Sequence, residues 1–598
     1  MHAVLVACAL AVDLAPAQAQ PHAPLIGDGI FVRTDGTRFV VGAVPFFFVG
    51  ANVAVMHGAR ERAAYERTLD AVAADGLSVV RVWALGEAPA DSPPWRREYA
   101  FRFGPDGWLE DSFVHLDRVL AAARARGLRV IVVLANRWAD YGGTSEYMRW
   151  AGQPPTARDL GHLELTRFFT CDSCIERYRE HVRRIVERTN TVTGVRYRDD
   201  PTIFSWELMN ESYALGEAAE EALVRFVEST AAFIRARDSS HLVGAGHIGY
   251  LRQRERETWL RVQSLPAVSY CDAHAYPEQD PRIRTPADLV HAIDDRVQLA
   301  HHVAHKPFIW GEFGVPEGAR ARARPAALDR FLRASFRDGI AGALVWIYQP
   351  WPGEPRPHGI YTDVDGEGAR RSLPVRRALA RQATLLAASP PTERNRSLAD
   401  AVGMRPLFDP PVRLRARARP HTGWQSADGA RVLAIDPLAF RQARFELAGV
   451  FREGAVAQLW GAGAGSVDWA FRSPPRASAP PTRFVIRARI SSELPGAGEA
   501  SVPSDTSEID VSLDGIALGR VIAPVDDGVG RIVELTSTDP RALAALARPG
   551  ATHTLRFAAR DRPGGGGLAV YGESTGRIPI PAELAAELPG RLELRVEP

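Results

Sequence analysis

The sequence predicts an α/β fold: a (β/α)8 TIM barrel followed by a C-terminal all-β, β-sandwich-like region. Three observations carry this. Between about residues 28 and 388, short apolar runs alternate with amphipathic stretches eight times. From about residue 400 the rhythm changes to short alternating strands separated by Gly/Pro-rich breaks. The chain has 598 residues, 46% hydrophobic and 24% charged, an ordinary globular balance in a chain too long for one core.

The elements follow in order. Ala3–Val12 is apolar, and Ala17-Gln18-Ala19 supplies a small-x-small cleavage site, so residues 1–19 are expected to be a signal peptide and the protein secreted or periplasmic. The segment ahead of the apolar run lacks Lys and Arg, and Asp13 interrupts it. Leu5-Val6-Ala7-Cys8 resembles a lipoprotein box, but too little sequence precedes it. Ile30–Arg33 and Arg38–Val41 read as a hairpin around Asp35-Gly36. Barrel strands are predicted at Phe46–Val49, Ser78–Val82, Arg129–Leu134, Ile203–Leu208, Leu242–Ala245, Ser269–Ala273, Phe308–Trp310 and Ala343–Trp346. Helices are predicted at Glu61–Ala74, Val114–Arg126, Ile175–Thr189, Glu217–Arg237, Thr258–Ser264, Ala287–Ala304, Ala326–Arg337 and Val375–Ala387. A doubly wound sheet would want a Gly-rich first turn, and no GxGxxG follows any of these strands. The barrel is placed at residues 25–390. Residues 400–598 are read as one or two accessory β-sandwiches, with strands such as Phe484–Ile490, Glu508–Leu513, His553–Ala558 and Leu568–Tyr571, and with loops at Pro474–Pro481 and Pro495–Ser507.

Some classes are excluded. The formal net charge is +2 and no basic cluster interleaves with aromatics, so a nucleic-acid partner is not expected. Beyond the N-terminus no apolar run of roughly 20 residues occurs, so no membrane-spanning segment is expected. Cys171 and Cys174 form a CxxC with no second pair to complete a zinc site, and a small loop disulfide is the expected outcome. Cys271 is expected to be buried in its strand. His301, His302 and His305 lie ahead of strand seven, at the end of a barrel away from its active site, and read as a solvated helix face.

A barrel carries its active site at the C-terminal ends of its strands. The residues found there are Arg81 and Trp83, Asn136 and Trp138, Asn210 and Glu211, His274 and Tyr276, Glu312, and Trp346. Two carboxylic acids at the ends of strands four and seven can face each other across the mouth. That suits glycoside hydrolysis, in which one carboxyl protonates the leaving oxygen and the other attacks the anomeric carbon. Their protonation states must differ. Arg81 near Glu312 is expected to hold it ionised, with Glu211 in the less charge-stabilised position beside His274. Glu207 lies inside its strand and reads as a buried partner for an arginine. Trp206 and Trp310 read as core. Trp138 and Trp346 are placed to stack on sugars, and Trp83, Trp150 and Trp351 suit cleft lining and packing equally.

The segments Asp200-Pro201-Thr202-Ile203-Phe204-Ser205-Trp206-Glu207-Leu208-Met209-Asn210-Glu211 and Lys306-Pro307-Phe308-Ile309-Trp310-Gly311-Glu312-Phe313-Gly314 resemble glycoside hydrolase family 5, in the clan of retaining (β/α)8 enzymes. The resemblance covers roughly residues 30–385. It implies Glu211 as acid/base, Glu312 as nucleophile and Asn210 as donor to the substrate 2-hydroxyl. It also implies contacts of Arg81 and Tyr276 with the nucleophile, His274 near the acid/base, and Trp346 as the floor under the reacting sugar. Asn136-Arg137-Trp138-Ala139-Asp140-Tyr141-Gly142-Gly143, with Tyr147 and Trp150-Ala151-Gly152, resembles the β-mannanase loop after strand three. So does Asn190-Thr191-Val192-Thr193-Gly194-Val195 with Tyr197. Two segments depart from the pattern: Val53-Ala54-Val55-Met56 after strand one, where mannanases carry aromatics, and Ile347-Tyr348-Gln349-Pro350-Trp351 after strand eight.

The expected function is therefore retaining hydrolysis of a β-1,4-linked polysaccharide, mannan foremost. An exo-β-mannosidase, β-glucanase or transglycosylase would use the same two glutamates. A non-catalytic glycan-binding protein would show a lost carboxylate or a filled cleft. No metal or organic cofactor is required, the expected partner is a polysaccharide or oligosaccharide, and no motif sets the oligomeric state.

Overall fold

The computed structural model describes residues 26–388 and 412–598, apart from 28, 90–91, 93–96, 140, 154–166, 215–216, 251–252, 278–282, 284–285, 318–322, 352–357, 363–365, 416–418, 446, 452–457, 463, 476–478, 493–505, 525–529, 561–566 and 573–591. The expected signal peptide and most of the loop at 495–507 thus lie outside the described residues.

Eight parallel strands form the barrel: β1 (Phe48–Val53), β2 (Val79–Trp83), β3 (Arg129–Val133), β4 (Ile203–Glu207), β5 (Leu242–Gly244), β6 (Cys271–Ala275), β7 (Phe308–Phe313) and β8 (Gly342–Gln349). They are laddered in the order β5-β4-β3-β2-β1-β8-β7-β6. The remaining seam is bridged rather than laddered. The Ser269 N–H donates to the Val243 carbonyl (2.7 Å), and the Val243 N–H donates to the Ser269 hydroxyl (2.8 Å). Outside run α1 (Tyr65–Ala74), α2 (Glu110–Ala125), α3 (Asp172–Val186), α4 (Glu217–Arg235), α5 (Gln253–Gln263), α6 (Pro286–His302), α7 (Arg324–Asp338) and α8 (Glu367–Ala388).

Alternation along the strands sorts the residues. Phe48, Val79, Ile131, Phe204, Tyr270, Ile309 and Leu344 form one buried cluster inside the base of the barrel. Their neighbours Val49, Val80, Val130, Val132 and Ala343 join the larger cluster under the helices. A three-stranded antiparallel sheet (Val32–Asp35, Arg38–Val41, Val44–Phe46) plugs the base. Its Phe39 is fully buried, with its ring 5.0 Å from Phe204 and 5.7 Å from Tyr270. Phe39→Ala is therefore expected to cost about 3–5 kcal/mol through a cavity at this plug. A melting temperature within a degree or so of wild type would show that the plug carries no stability.

The differences from the sequence reading have local causes. Helix α8 starts earlier than predicted because it runs through Pro374, at the cost of one helical N–H bond. The helix Gly143–Trp150 was legible only as a loop because it opens on Gly142 and Gly143, both with positive φ. The small sheet of Glu87–Ala88, Arg102–Phe103 and Gly107–Trp108 is built of two-residue strands, too short to show a period. Cys171 and Cys174 are bonded as expected, but at the first turn of α3, where Cys171 is the N-cap. Cys271 is buried and free. His301 and His302 end α6, and His305 follows it.

The C-terminal region is built of two antiparallel sheets. One carries Val412–Arg415, Gln442–Phe445, Gly465–Arg472, Thr552–Ala559, Ser507–Leu513 and Ile516–Ala523 in hydrogen-bonded order. The other is centred on Arg483–Ser491, which pairs with Leu592–Glu597, Gly567–Tyr571 and Arg531–Ser537. Leu433, Trp469, Phe484, Phe557 and Leu594 belong to one buried cluster drawn from both sheets. Trp469 and Tyr571 are buried and Trp424 is partly buried against that core. At one sheet end Ser473 Oγ lies 2.7 Å from His553 Nε2, and His553 Nδ1 lies 2.6 Å from Asp514. The serine and imidazole are buried and the acid is the exposed member, the reverse of what an incoming substrate needs, so this chain is a strand-end lock.

Candidate active site

The period of two that fills the barrel's base also fills its mouth. Asn52 on β1 is registered opposite Arg81 on β2, and His274 on β6 opposite Glu312 on β7. The β6–β7 register shifts just before His274, and such a bulge re-aims side chains. Gly311 has no Cβ, which would sit 3.1 Å from His274 Nε2, so the imidazole packs close against β7. Glu211 follows β4 with φ at 56°, a left-handed conformation that costs a glutamate about 1–3 kcal/mol. Its neighbour Asn210 anchors the turn: the Asn210 N–H donates to the Ala135 carbonyl (2.8 Å) and its side-chain amide to Asn136 Oδ1 (3.0 Å).

Each carboxylate has its own donors. Arg81 Nη1 donates to Glu312 Oε1 (2.9 Å) and Tyr276 Oη to Glu312 Oε2 (2.6 Å). Glu211 Oε1 is 2.8 Å from His274 Nδ1, and Glu211 Oε2 accepts the Trp138 indole N–H. His274 Nδ1 is also 3.5 Å from Glu312 Oε2, so the imidazole stands between the two acids. Ligand-type atoms of Glu211, His274 and Glu312 all lie within 4.8 Å of one another, the one such group among the described residues. That cluster would suit a metal by spacing, but the guanidinium bonded to Glu312 already sets a fixed cation there. Carboxylate oxygens within 4.8 Å of each other fall short of the ~6.5–9.5 Å separation that leaves room for an inverting water, which suits double displacement.

The surroundings push the two carboxyls in opposite directions, Glu211 down and Glu312 up, whereas the sequence expectation put Glu211 in the less charge-stabilised place. Burial opposes ionisation of Glu211, but the hydrogen bond and charge of His274, the Trp138 indole and Arg81 together hold it below the usual carboxylate range. Burial pushes Glu312 up. The cation on His274 opposes this, the charge of Glu211 adds to it, and Arg81 and Tyr276 also oppose it. Burial opposes a charge on His274, yet Glu312 and Glu211 raise it above the ordinary imidazole value. Burial and the two carboxylates keep Tyr276 protonated and donating. Arg81 does bond Glu312 and favour its charge, and His274 does stand beside Glu211, but the imidazole's own charge, 2.8 Å from Glu211 and 3.5 Å from Glu312, is what favours ionisation of Glu211.

The remaining predicted residues are brought to the same mouth. Trp346, half-buried and joined to Ile347 by a cis peptide, lies 5.8 Å from Trp83 ring to ring. Trp83 is half-buried beside that ring, whereas Trp150 packs on Tyr147 and Arg102. Trp206 and Trp310 are core, their indoles bonded to Asp238 and Ser335. Glu207 is fully buried and bonded to Arg81. Val53, Ala54, Val55 and Met56 are buried, and the aromatic wall beside them is instead made by His57, stacked on Tyr141 at 4.0 Å and edge-on to Trp83. The sequence reading passed over Asn52, although it is the first polar residue inside the apolar run of β1. It also passed over Arg137, whose guanidinium lies between the rings of Trp138 (4.7 Å) and Tyr213 (4.9 Å).

A family model described as GH family 5 beta-mannosidase-like matches residues 29–337, more than half of the chain and nearly all of the barrel. The chain belongs to glycoside hydrolase family 5. This family 5 enzyme is 31% identical over 356 residues to a putative mannan endo-1,4-beta-mannosidase 9 of Oryza sativa subsp. japonica, a match covering 54% of this chain and 82% of the relative. It is 29% identical over 309 residues to mannan endo-1,4-beta-mannosidase 7 of Arabidopsis thaliana, covering 48% and 68% respectively. Among solved structures, the endo-1,4-beta-mannanase from Rhizomucor miehei superposes with a TM-score of 0.51 at 22% identity, covering 60% of this chain and all of that one, a likeness of fold. The glycoside hydrolase has no helix among its described residues that is long and apolar enough to cross a membrane.

Proposed function

We propose that this family 5 enzyme hydrolyses β-1,4-linked mannan by double displacement, with Glu312 as nucleophile and Glu211 as acid/base. The observation that carries the reading is two carboxylates within 4.8 Å, each held by a separate donor set. Relatives named as mannan endo-1,4-beta-mannosidases support the substrate. In the first step Glu312 attacks the anomeric carbon while Glu211 protonates the departing oxygen. In the second Glu211 takes a proton from water, which displaces Glu312, and the configuration is retained. Asn210 is placed to bond the 2-hydroxyl, with Asn136 and Trp138 fixing Asn210 and Glu211, and Trp346 lies under the reacting sugar.

A Glu211 held below the usual carboxylate range is compatible with its acid role. An imidazolium beside a carboxylate and an imidazole beside a carboxylic acid hold the same number of protons. The 2.8 Å contact between His274 Nδ1 and Glu211 lets one convert to the other without exchange with solvent. A sugar that excludes water disfavours the charge-separated form and returns the proton to Glu211. The pH profile follows. Activity is lost as pH falls through the value of Glu312, which is raised, because the protonated nucleophile cannot attack. Activity is lost as pH rises through the value of His274, also raised, because the shared proton then leaves. A bell in kcat/KM is expected, with its acidic limb above an ordinary glutamate and its alkaline limb above an ordinary histidine. A flat profile through neutrality up to the range of tyrosine would contradict this proton count.

The test is reducing-sugar release from β-mannan, glucomannan and cellulose side by side, with Glu312→Ala as control. Release from mannan that the substitution abolishes is the expected result; release from cellulose alone would refute the substrate. We further propose that residues 1–19 direct export, so that the enzyme is secreted or periplasmic. In the same proposal, residues 25–390 are the catalytic domain and residues 400–598 a single accessory sandwich.

A further inference from the structure

The guanidinium of Arg81 has five N–H donors, and all five are committed. Its Nε–H is shared by both oxygens of Glu207 (3.1 Å each), and one Nη2–H also goes to Glu207 Oε1. The other Nη2–H goes to Asn210 Oδ1 (2.7 Å). Nη1 divides its two between Asn52 Oδ1 (2.9 Å) and Glu312 Oε1 (2.9 Å). Asn52 is itself held by its amide, which donates to the Gly311 carbonyl at 3.0 Å, one residue before Glu312. Arg81, Glu207 and Asn52 are each at most 1% exposed, so water does not screen these charges.

Arg81 thus makes its two-pronged contact with Glu207, which has no place in the chemistry, and gives Glu312 a single N–H. We propose that Glu207 is a positioning residue for the reaction: it takes up most of the Arg81 charge and turns the guanidinium so that Glu312 is oriented by one hydrogen bond and left free to attack. This rests on the assignment of Glu312 as nucleophile. A carboxylate clamped by an otherwise unpaired, desolvated guanidinium would be held in two-pronged geometry and be a weaker nucleophile. Asn52 contributes the matching restraint from β1, fixing Nη1 without adding charge.

The groups facing this pair are few. Glu207 is faced by Arg81 from β2 and by Tyr270 and Asp272 at β6. Burial pushes Asp272 up to about 6, with the charge of Glu207 adding to the effect. Glu312 is faced by Arg81, by His274 on β6 and Tyr276 just past it, and by Glu211 beyond β4.

The test is kcat/KM on β-mannan against pH for wild type, Glu207→Gln and Glu207→Asp, with Glu312→Ala as the inactive control. In Glu207→Gln the charge of Arg81 falls on Glu312, so the acidic limb is expected to move down by about one pH unit, with a lower plateau. Glu207→Asp keeps the charge and is expected to keep the wild-type limb. Should Glu207→Gln fail to fold, Asn52→Asp adds a carboxylate to the same guanidinium and is expected to move the limb up. A folded Glu207→Gln, or a folded Asn52→Asp, with its acidic limb unmoved would overturn the inference and leave the nucleophile assignment standing. Activity persisting in Glu312→Ala would overturn that assignment, and this inference with it.

Discussion

Replacing Glu312 by alanine is expected to lower β-mannan hydrolysis by about 10⁴-fold or more, the loss typical of removing a covalent nucleophile. Glu312 is 4% exposed and its two oxygens are bonded to Arg81 and Tyr276, and among the described residues the acid grouped with it is Glu211. That acid lies on the other side of His274. The fold is expected to survive, because Arg81 keeps its two-pronged bond to Glu207 when Glu312 is lost. Substrate affinity should change little, since the nucleophile contributes to the transition state more than to binding. A specific signature follows. The truncated side chain leaves space for a small anion, and azide entering from that face is expected to restore turnover on an activated β-mannoside. The product would be the glycosyl azide of inverted configuration, because one displacement has replaced two. A loss smaller than tenfold would mean that Glu312 does not attack, and an azide product of retained configuration would mean that the covalent step survives without it.

Much of this was legible in the sequence because barrel strands advertise themselves. Strands such as Arg129–Val133 and Ile203–Glu207 are buried along their whole length, and a polar residue at or just past the C-terminal end of such a strand lies at the mouth. Applied to eight strands, that rule brings Arg81, Asn136, Asn210, Glu211, His274, Tyr276, Glu312 and Trp346 together without any structure. What it missed was of two kinds. Asn52 lies inside its strand, one residue short of the end, and Glu207, correctly read as a buried partner for an arginine, gave no sign of which arginine or of what else that arginine holds. Their importance comes from sharing one guanidinium, and no periodicity records a shared partner. The second kind is electrostatic. Which acid holds the proton depends on His274 standing 2.8 Å from one carboxylate and 3.5 Å from the other, a difference that linear order cannot carry. The aromatic wall was displaced for a steric reason: Val53–Met56 turned inward to the core, so His57 and Tyr141, from separate loops, supply the rings.

Glu211→Ala is expected to have an effect whose size depends on the leaving group, and this dependence is the sharper test of the acid/base role. On mannan the departing group is a sugar alkoxide, a poor leaving group without a proton, and about 10²–10⁴-fold of rate is expected to vanish. On a dinitrophenyl β-mannoside the departing phenolate needs no proton, so attack by Glu312 proceeds at close to the wild-type rate. The covalent intermediate then meets water with no base to activate it. A burst of dinitrophenol equal to the enzyme concentration should appear, followed by slow turnover and a sharply lowered KM, because the intermediate accumulates. The alkaline limb of the pH profile should disappear for this substrate, since the proton shared with His274 no longer takes part in the first step. Alanine is as strained as glutamate at the φ of 56° found at this position, so the backbone is not relaxed by the change and the comparison isolates the carboxyl. Equal losses on both substrates would show that Glu211 positions the sugar instead of delivering a proton, and the acid would then have to be sought at His274, the one other proton donor standing between the two carboxylates.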